Sequence, residues 1–413
     1  MNKFLNEFKE RGYFYQCTNE TDLSNLLDNK KINAYIGFDS TASSLHVGSL
    51  MQIMCLRLLQ KHGHRPIVLL GGGTTRIGDP SGKEETRKIL SEKQIENNIK
   101  NIHKVFNIFL KSDNPKLKPI FVNNYKWLGK LNYINFLRTI GKHFTINKML
   151  SFESVKLRLE REQSLSYMEF NYMILQAYDF LELNKTKNCL LQIGGSDQWG
   201  NIVNGVELIK RHSNKHAFGL TTPLITLASG AKMGKTEKGA IWLDKKLLSP
   251  YDYYQFWRNT DDRDVIKFLK MFTDLEVSEI EKMKNININD LKEKLAIEAT
   301  KMLHGEKEGN KAFETSISIF VKKEIGNQTQ LPIIKIKKNE VKNGLSILDL
   351  VVKSKLLKSK GEVRRAIKDR GIKIDDTPVD KEDYLVSLEI FKDLDLIKLS
   401  HGKKNHVIIK LIN

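Results

Sequence analysis

Cysteine is scarce in this sequence, with three residues among 413: Cys17, Cys55 and Cys189. They lack the spacing of a metal site, and their odd number leaves no complete set of disulfides. No apolar run approaches the ~20 residues that a membrane-spanning helix requires. The first residues alternate charged and apolar side chains, without the apolar stretch of a secretory signal. We therefore expect a reduced, cytoplasmic protein without a membrane segment or a resident metal ion, unless an organelle presequence has been removed.

Acidic residues are outnumbered, with 49 Asp and Glu against 68 Lys and Arg, and the formal net charge is +19. One interpretation is a polyanionic partner, because phosphate neutralisation dominates the affinity of proteins for nucleic acids. The other is a codon bias rich in Lys, Asn and Ile, which would scatter lysines over the whole chain. The position of the lysines therefore matters more than their total. The length suffices for two or three domains.

One stretch near the N-terminus has the pattern of a strand, a loop and a helix start. Ala34 to Phe38 is short and apolar, which predicts a buried strand. The loop after it ends in His46-Val47-Gly48-Ser49, and the apolar spacing that continues to Leu59 predicts a helix. Free N–H groups at such a helix start favour a phosphate, and an imidazole adds a donor. A single histidine there is, however, more often a cap or a surface residue.

A second stretch that contains glycine lies far downstream and reads Lys232-Met233-Gly234-Lys235-Thr236. Its neighbours Gly230 and Gly239 predict a mobile loop, because glycine permits many backbone conformations. Two lysines in such a loop are, by themselves, more typical of a solvated turn. They gain significance only in combination with the first stretch.

Together the two stretches resemble the motifs of the class I aminoacyl-tRNA synthetases. The segment from His46 to Ser49 is similar to their HIGH motif, and the segment from Lys232 to Thr236 is similar to their KMSKS motif. Ser49 stands at the second histidine of the first motif, and Gly234 at the central serine of the second. The resemblance to bacterial-type tyrosyl-tRNA synthetases covers essentially the whole chain, including Tyr35–Ser49, Gly71–Arg87, Met168–Asp179, Leu191–Asn201 and the basic C-terminal segment.

The expected fold class is α/β. Arg65 to Gly71 is a second buried strand one helix after the first, which is the βαβ pattern of a parallel sheet. The resemblance implies a Rossmann-like catalytic domain over 1–246, with a dimer-interface insertion at about 120–162. From Ser249 an aromatic and then charge-alternating helical pattern predicts a separate helical domain over 247–324, which the resemblance identifies as anticodon-binding. We expect a mobile linker over 325–344 and a small α+β, S4-like RNA-binding domain over 345–413.

The resemblance also implies the activity, a tyrosine–tRNA ligase. Tyrosine and ATP, accompanied by Mg²⁺, form tyrosyl-adenylate and pyrophosphate, and tyrosine then passes to the 3′ end of tRNA(Tyr). It implies a homodimer and no tightly bound cofactor. The glycine-rich loop Gly71–Lys83 does not have the spacing of a Walker P-loop. The residues implied in catalysis are His46, Lys83, Arg87, Lys232, Lys235 and Thr236.

Glu169 to Phe180 is uninterrupted by glycine or proline and predicts a helix. Tyr172, Gln176 and Asp179 share one of its faces. A polar stripe usually faces solvent; if it lines a dry pocket, its carboxylate can accept a hydrogen bond from a phenol. The resemblance implies that Asp179 and Tyr35 contact the phenol. The complete set implied for tyrosine is Tyr35, Asp79, Tyr172, Gln176, Asp179, Gln192 and Gln198.

A further strand ends at Gly194-Gly195, and a helix follows it, which places polar groups at the edge of the sheet where open α/β folds bind ligands. The alternative is that Ser196 or Asp197 simply caps that helix. The resemblance implies that ATP contacts residues from this segment and from both motifs. These are Gly37, Asp39, Thr41, His46, Gly48, Ser49, Gly195, Asp197 and Lys235.

Basic residues concentrate between Lys353 and Lys373, where nine stand against two acidic ones. Such a one-sign bias favours contact with RNA phosphates over a merely solvated helix. The predicted RNA-binding residues are Lys353, Lys355, Lys358, Lys360, Arg364, Arg365 and Lys368.

Two other functions remain open at this point. A synthetase of the same fold that acts on tryptophan would not need Tyr35 and Asp179 to converge on a hydroxyl group. An RNA-binding splicing or regulatory factor without catalysis would not need His46, Lys232 and Lys235.

Overall fold

The computed structural model describes residues 2–81, 90–230, 233–236, 239–317, 331–391, 396–402 and 405–412. By their contacts these residues fall into two compact units, Met1–Gly309 and Asn310–Asn413. In the part of the chain that is described, no helix is both long enough and apolar enough to cross a lipid bilayer.

A six-stranded sheet forms the centre of the first unit. Its strands are β1 (Gln16–Cys17), β2 (Asn33–Asp39), β3 (Arg65–Gly71), β4 (Ile120–Asn123), β5 (Cys189–Gly195) and β6 (Phe218–Thr222). Their spatial order is β1-β6-β5-β2-β3-β4, and all neighbouring pairs are parallel except β1 with β6. The chain leaves β2 in one direction through β3 and β4 and later adds β5 on the other side. The predicted parallel α/β fold is confirmed, and the edge where β2 and β5 end is the usual ligand site of such sheets.

Ten helices of the described residues accompany this sheet. They are α1 (Lys3–Glu10), α2 (Glu20–Asn29), α3 (Leu50–Lys61), α4 (Glu92–Phe109), α5 (Tyr125–Leu128), α6 (Tyr133–Thr139), α7 (Ile146–Leu150), α8 (Glu153–Glu160), α9 (Tyr167–Lys187) and α10 (Trp199–Ser213). α9 begins with a capping box, in which Ser166 and Glu169 satisfy each other's backbone N–H groups. The cap fixes where this helix starts.

We expected the helical segment to form a unit of its own, but most of it belongs to the first unit. Its helices are α11 (Pro250–Arg258), α12 (Val265–Phe272), α13 (Val277–Lys282) and α14 (Ile288–His304), and the boundary between the two units falls within α15 (Glu306–Ile317). The buried Arg11 guanidinium donates to the carbonyl oxygens of Lys270, Thr273 and Leu275. Tyr13 donates to Met271 O at 2.6 Å. These long-range hydrogen bonds tie the segment to the N-terminal helix region, which a pattern of local periodicity cannot reveal.

The C-terminal unit is a small α+β domain, as predicted. Its elements are β9 (Ile333–Lys337), α16 (Lys338–Lys342), α17 (Ile347–Lys353), α18 (Lys360–Lys368), β10 (Ile372–Ile374), β11 (Thr377–Pro378), β12 (Leu396–His401) and β13 (Asn405–Ile412). The strand order is β11-β10-β12-β13-β9.

The prediction of a linker over 325–344 is wrong for the described residues 331–344. β9 pairs in parallel with β13, with Ile333 opposite Ile408, and Ile336 is fully buried. Isoleucine and lysine alternate from Ile334 onward, so Ile334 and Ile336 face the core while the lysines of the other face stay outside. The prediction gave weight to the lysines and missed the alternation. Residues 325–330 lie outside the described residues.

Candidate active site

A cavity of about 360 Å³ opens where β2 and β5 end. All the residues predicted for tyrosine line it: Tyr35, Asp79, Tyr172, Gln176, Asp179, Gln192 and Gln198. Most of those predicted for ATP line it as well: Gly37, Asp39, Thr41, Gly48, Ser49, Gly195 and Asp197. Lys83, Arg87 and Lys232 lie outside the described residues. Lys235 and Thr236 form a two-residue strand, β7, whose backbone alone is described and which pairs with β8 (Gly239–Ala240).

A buried carboxylate closes one end of the cavity. Asp179 is 2% exposed, and its two oxygens accept hydrogen bonds from Trp127 Nε1 at 2.7 Å and Asn124 Nδ2 at 2.9 Å. Burial raises the pKa of Asp179 to about 7, against the lowering effect of these two donors. The polar stripe of α9 therefore faces the cavity and not the solvent. The two donors also hold the carboxylate in one orientation.

The hydroxyl of Tyr35 lies at the same end, on β2. It is buried and has no hydrogen-bond partner among the described residues, and the same holds for Gln192 Oε1 on β5. The two residues are paired in register across the sheet. Burial, and then the neighbouring Asp179, raise the pKa of the Tyr35 phenol. A buried polar group without a partner costs free energy, so a ligand that supplies a partner gains affinity here.

Carboxylates and amides form the middle of the wall. Asp39 accepts from Thr74 Oγ1 at 2.7 Å and from the Tyr172 hydroxyl at 3.1 Å. A Cβ at Gly71 would lie 2.2 Å from Asp39 Oδ1, so glycine is required beside this carboxylate.

Asp79 accepts from Ser81 N and from Gln198 Nε2, both at 2.9 Å. Asn201 then donates to Gln198 Oε1 at 3.0 Å and to Gln176 Oε1 at 3.3 Å. These bonds connect α9 to the start of α10, where the residue at the N-cap position is Gln198 rather than Ser196 or Asp197. The Asp79 carboxylate, held among side-chain amides, is suited to bind the ammonium group of a substrate.

The two distant motif segments meet at the other end of the cavity. His46 precedes a short 3-10 helix, Val47–Ser49, and its Nδ1 accepts from Gly48 N at 3.0 Å. A Cβ at Gly234 would lie 2.8 Å from Gly48 N and 2.9 Å from His46 Nδ1, and φ there is +90°. Ile241 N donates to Gly234 O at 3.1 Å, and Val47 N donates to Ile241 O at 2.9 Å. Glycine at 234 thus lets the second segment lie directly on the first.

Three residues that hold the site were not predicted: Thr74, Asn124 and Trp127. Asn124 Nδ2 donates to Thr74 Oγ1 as well as to Asp179, so one amide joins the segments after β3 and β4 to α9. Asn124 follows directly on β4, and Trp127 lies three residues later in α5. That position, at the carboxyl end of a strand next to the predicted site, was the signal available in the sequence. The segment was instead assigned to an interface insertion.

The predicted RNA-binding residues lie on and around α17 and α18. Several are paired with acidic neighbours: Lys353 with Glu340, Lys360 with Asp349, and both Arg364 and Lys368 with Glu382. For Lys355, Lys358 and Arg365 no ion pair is present within the described residues. The strong one-sign charge of the sequence is therefore partly neutralised in the folded unit.

Comparison with known proteins agrees with this geometry. The chain matches the model of "tRNA synthetases class I (W and Y)" over residues 27–321 and the S4 domain model over residues 347–389. The tyrosine–tRNA ligase of Pelagibacter ubique is 68% identical over 412 residues, with 100% of both chains covered. That of Wolbachia sp. subsp. Brugia malayi is 53% identical, with 98% of both covered. A C-terminally truncated mitochondrial tyrosyl-tRNA synthetase of Aspergillus nidulans has a TM-score of 0.70 at 30% identity, over 77% of this chain and 94% of that one. The chain therefore belongs to the class I tRNA synthetases of the tryptophan and tyrosine family.

Proposed function

We propose that this chain is a tyrosine–tRNA ligase that works in the cytoplasm. It activates L-tyrosine with ATP to tyrosyl-adenylate and then transfers tyrosine to the 3′ end of tRNA(Tyr). One observation carries the proposal: a buried carboxylate, Asp179, lies with the unpartnered hydroxyl of Tyr35 in the wall of a cavity that also reaches Gly48 and Ser49. The first pair suits a phenol, and the second region suits a phosphate.

Discrimination follows from these two polar groups. The phenol of tyrosine donates its one proton to Asp179 and accepts a hydrogen bond from the Tyr35 hydroxyl. Phenylalanine would fill the same space, leave the Tyr35 hydroxyl without a partner and give Asp179 no hydrogen bond beyond those from Trp127 and Asn124, which costs binding free energy in a dry site. The ammonium of tyrosine lies at the middle of the cavity, against Asp79, Tyr172, Gln176 and Gln198, while Gln192 completes the wall on β5.

Activation requires no protein nucleophile, because the tyrosine carboxylate is one already. One carboxylate oxygen bonds to the α-phosphorus of ATP, and the bond from that phosphorus to the β-phosphate oxygen breaks, which releases pyrophosphate. Positioning and stabilisation of phosphate charge then supply the rate enhancement. We assign this to the His46 turn with Gly48 and Ser49, and to Lys83, Arg87, Lys232, Lys235 and Thr236. Mg²⁺ arrives with ATP as part of the substrate.

The second step uses the same site. A ribose hydroxyl at the tRNA 3′ end attacks the tyrosyl carbonyl, and AMP leaves. The C-terminal unit binds the RNA, and the best candidates for phosphate contact are Lys355, Lys358 and Arg365. Changing these three to alanine should weaken tRNA binding and lower its salt dependence by roughly one per lost contact. The control variant changes Lys353 and Lys360, which are paired with acidic residues, to alanine. Pyrophosphate exchange should stay unchanged in both variants.

A homodimer accounts for the large apolar surface of the first unit. An open cavity of about 450 Å³ is lined by Tyr125, Tyr133, Leu137 and Tyr167, among others. Tyr133 and Tyr167 are 58% and 67% exposed, which is unusual for large apolar side chains that cluster together. Leu137→Glu should give a monomer in sedimentation experiments. Leu385→Glu, at a 60% exposed leucine of the other unit, should not change the mass.

Amino-acid-dependent exchange of pyrophosphate into ATP tests the activity directly. The full chain should catalyse exchange with tyrosine and far more slowly with phenylalanine or tryptophan. Exchange driven best by tryptophan would show instead that the chain is a synthetase of the same fold that acts on tryptophan. No exchange with any of the three, together with binding of intron RNA, would favour the RNA-binding factor without catalysis.

A further inference from the structure

The helical segment contains a buried carboxylate, Asp264, that the scheme above does not use. Asp264 ends a short 3-10 helix, Asp262–Asp264, and stands at the N-cap position of α12. An aspartate at that position usually accepts from the first N–H groups of its own helix. Asp264 makes no such bond; its Oδ2 accepts from Ala228 N at 2.7 Å, and the residue is 5% exposed. The carboxylate therefore holds a segment that lies 36 positions earlier in the chain.

That segment is bonded to α12 at a second point and forms a tight turn. Lys267, one turn further along α12, donates to Thr226 O at 3.4 Å. Gly230 N donates to Leu227 O at 2.8 Å, which closes a turn of four residues. The carboxylate binds inside this turn, and the ammonium group binds just before it. The helical segment thus fixes both the turn and the chain that enters it.

The turn precedes the second motif segment, and a backbone hydrogen bond joins the two. Met233 N donates to Ile225 O at 3.3 Å, so the chain after the turn is bonded to the chain before it. The next residue, Gly234, lies against His46, and Lys235 follows. The buried carboxylate is therefore connected to the backbone beside His46 through the turn and one further hydrogen bond.

The two arms of the hairpin formed by β7 and β8 are held by different parts of the molecule. The later arm continues into Ile241, whose carbonyl oxygen accepts from Val47 N at 2.9 Å, and is thereby fixed to the first motif segment. The earlier arm begins after Met233, which is bonded to the chain next to the turn. A hydrogen bond to a carboxylate is roughly twice as strong as one between neutral groups. The bond from Ala228 N to Asp264 is therefore well suited to fix the earlier arm.

We propose that Asp264 is a positioning residue for adenylate formation, which holds the earlier arm of the β7–β8 hairpin, and with it Lys235, in place beside His46. The inference rests on the proposed function, because it takes the second motif segment as a source of positive charge for the phosphates of ATP. It also gives the helical segment a part in the activation of tyrosine, since without Asp264 the hairpin is held from one side.

The test measures the single-turnover rate of tyrosyl-adenylate formation in the full chain, by rapid quench at saturating tyrosine and ATP. In Asp264→Ala this rate should fall about tenfold, as for loss of one hydrogen bond to a charged group, while equilibrium binding of tyrosine should stay constant. Asp264→Asn, whose amide oxygen can still accept from Ala228 N, should recover most of the rate. Asp261→Ala is the matched control, since Asp261 is a carboxylate of the same region that bonds to Arg263. It should change the rate by less than about twofold.

A second variant removes the same hydrogen bond from the side of its donor. Ala228→Pro has no backbone N–H, and Ala228 is the second residue of the turn, a position that favours proline. It leaves the Asp264 side chain unaltered. It should lower the rate of adenylate formation as Asp264→Ala does.

The loss of rate should disappear when the second motif segment lacks its lysines. In a chain with Lys232→Ala and Lys235→Ala, the further change Asp264→Ala should lower the rate by less than about twofold, because the hairpin then has no charge to position. A purely structural role, in which the variant is partly unfolded, would give equal fractional losses in both backgrounds.

Equal losses in the two backgrounds, or a normal rate in both Asp264→Ala and Ala228→Pro, would overturn the inference. Adenylate formation by the unaltered chain would in that case still support the proposed function. A chain that forms no tyrosyl-adenylate at all would refute the proposed function and, with it, this role of Asp264.

Discussion

The two ends of the cavity are built in different ways. At the end proposed for tyrosine, Asp179, Tyr35 and Gln192 stand on a helix and two strands, and Asn124 and Trp127 hold the carboxylate. At the end proposed for phosphate, a short turn and a second loop meet through close approach at Gly234. Rigid elements hold a buried acceptor with precision, which suits selection of one side chain. Loops can close over a nucleotide, which suits stabilisation of charge that develops during the reaction.

Loss of His46 should have one of the two largest effects and should act on rate alone. In His46→Ala, the rate of adenylate formation at saturating substrates should fall roughly 100-fold, as for removal of one donor to a developing charge. Equilibrium binding of tyrosine should not change, since the imidazole is at the far end. Rapid-quench kinetics and titration with tyrosine measure the two quantities. His103→Ala, on α4 away from the cavity, is the control. A normal rate of adenylate formation in His46→Ala would contradict the assignment of this end of the cavity to phosphate.

Loss of the carboxylate should affect tyrosine selection while the fold survives. In Asp179→Ala, kcat/KM for tyrosine should fall about 100-fold, because the substrate phenol, Trp127 and Asn124 all lose an acceptor. Phenylalanine has no hydroxyl to satisfy, so its slow exchange should change much less. Pyrophosphate exchange with both amino acids measures the ratio, and circular dichroism checks the fold. Unchanged kinetics with tyrosine would refute the role of Asp179.

Tyrosine binding should depend on pH through the same group. The pKa of Asp179 is about 7 in the free protein, so the carboxylate form that accepts two N–H donors and a phenol is lost as pH falls. Affinity for tyrosine should therefore drop about tenfold from pH 8 to pH 6. Because the folded state keeps a proton that the unfolded state releases, the free energy of unfolding should decrease as pH rises from about 4 to 7.

Asp179→Asn is the control for both titrations, since an amide does not titrate in this range. It should remove the pH dependence of tyrosine binding measured by fluorescence. A flat profile in the unaltered chain would mean that Asp179 keeps one protonation state throughout.

The smallest effect is expected for Trp127→Phe, which keeps the ring and removes the indole donor. Tyrosine should bind about tenfold more weakly, as for loss of a hydrogen bond to a charged group. The pH midpoint of binding should move upward, because a donor that lowers the pKa of Asp179 is gone. Trp242→Phe is the matched control at the other end, where Trp242 packs against His46. An equal shift of the midpoint in both variants would erase the distinction between the two ends.

Local patterns predicted the elements better than their assembly. The apolar runs indicated β2, α3 and β3. Residues 331–344 were misjudged, because the alternation of Ile and Lys was taken for a polar connection. The helical segment was expected to stand alone, although Arg11 and Tyr13 bind its backbone across more than 250 positions.

The amino-acid sequence by itself determined the parallel α/β class, the two motif segments and the residues that could bind tyrosine and ATP. These depend on short-range periodicity and on residue chemistry, which are written in consecutive positions. Only the tertiary structure decided that Asp179 accepts hydrogen bonds from Asn124 and Trp127, and that the side-chain amide of Gln52 donates to the Thr222 hydroxyl. The partners in these hydrogen bonds lie 55, 52 and 170 positions apart. Strand order and crossovers bring them together, and no local pattern encodes such distances.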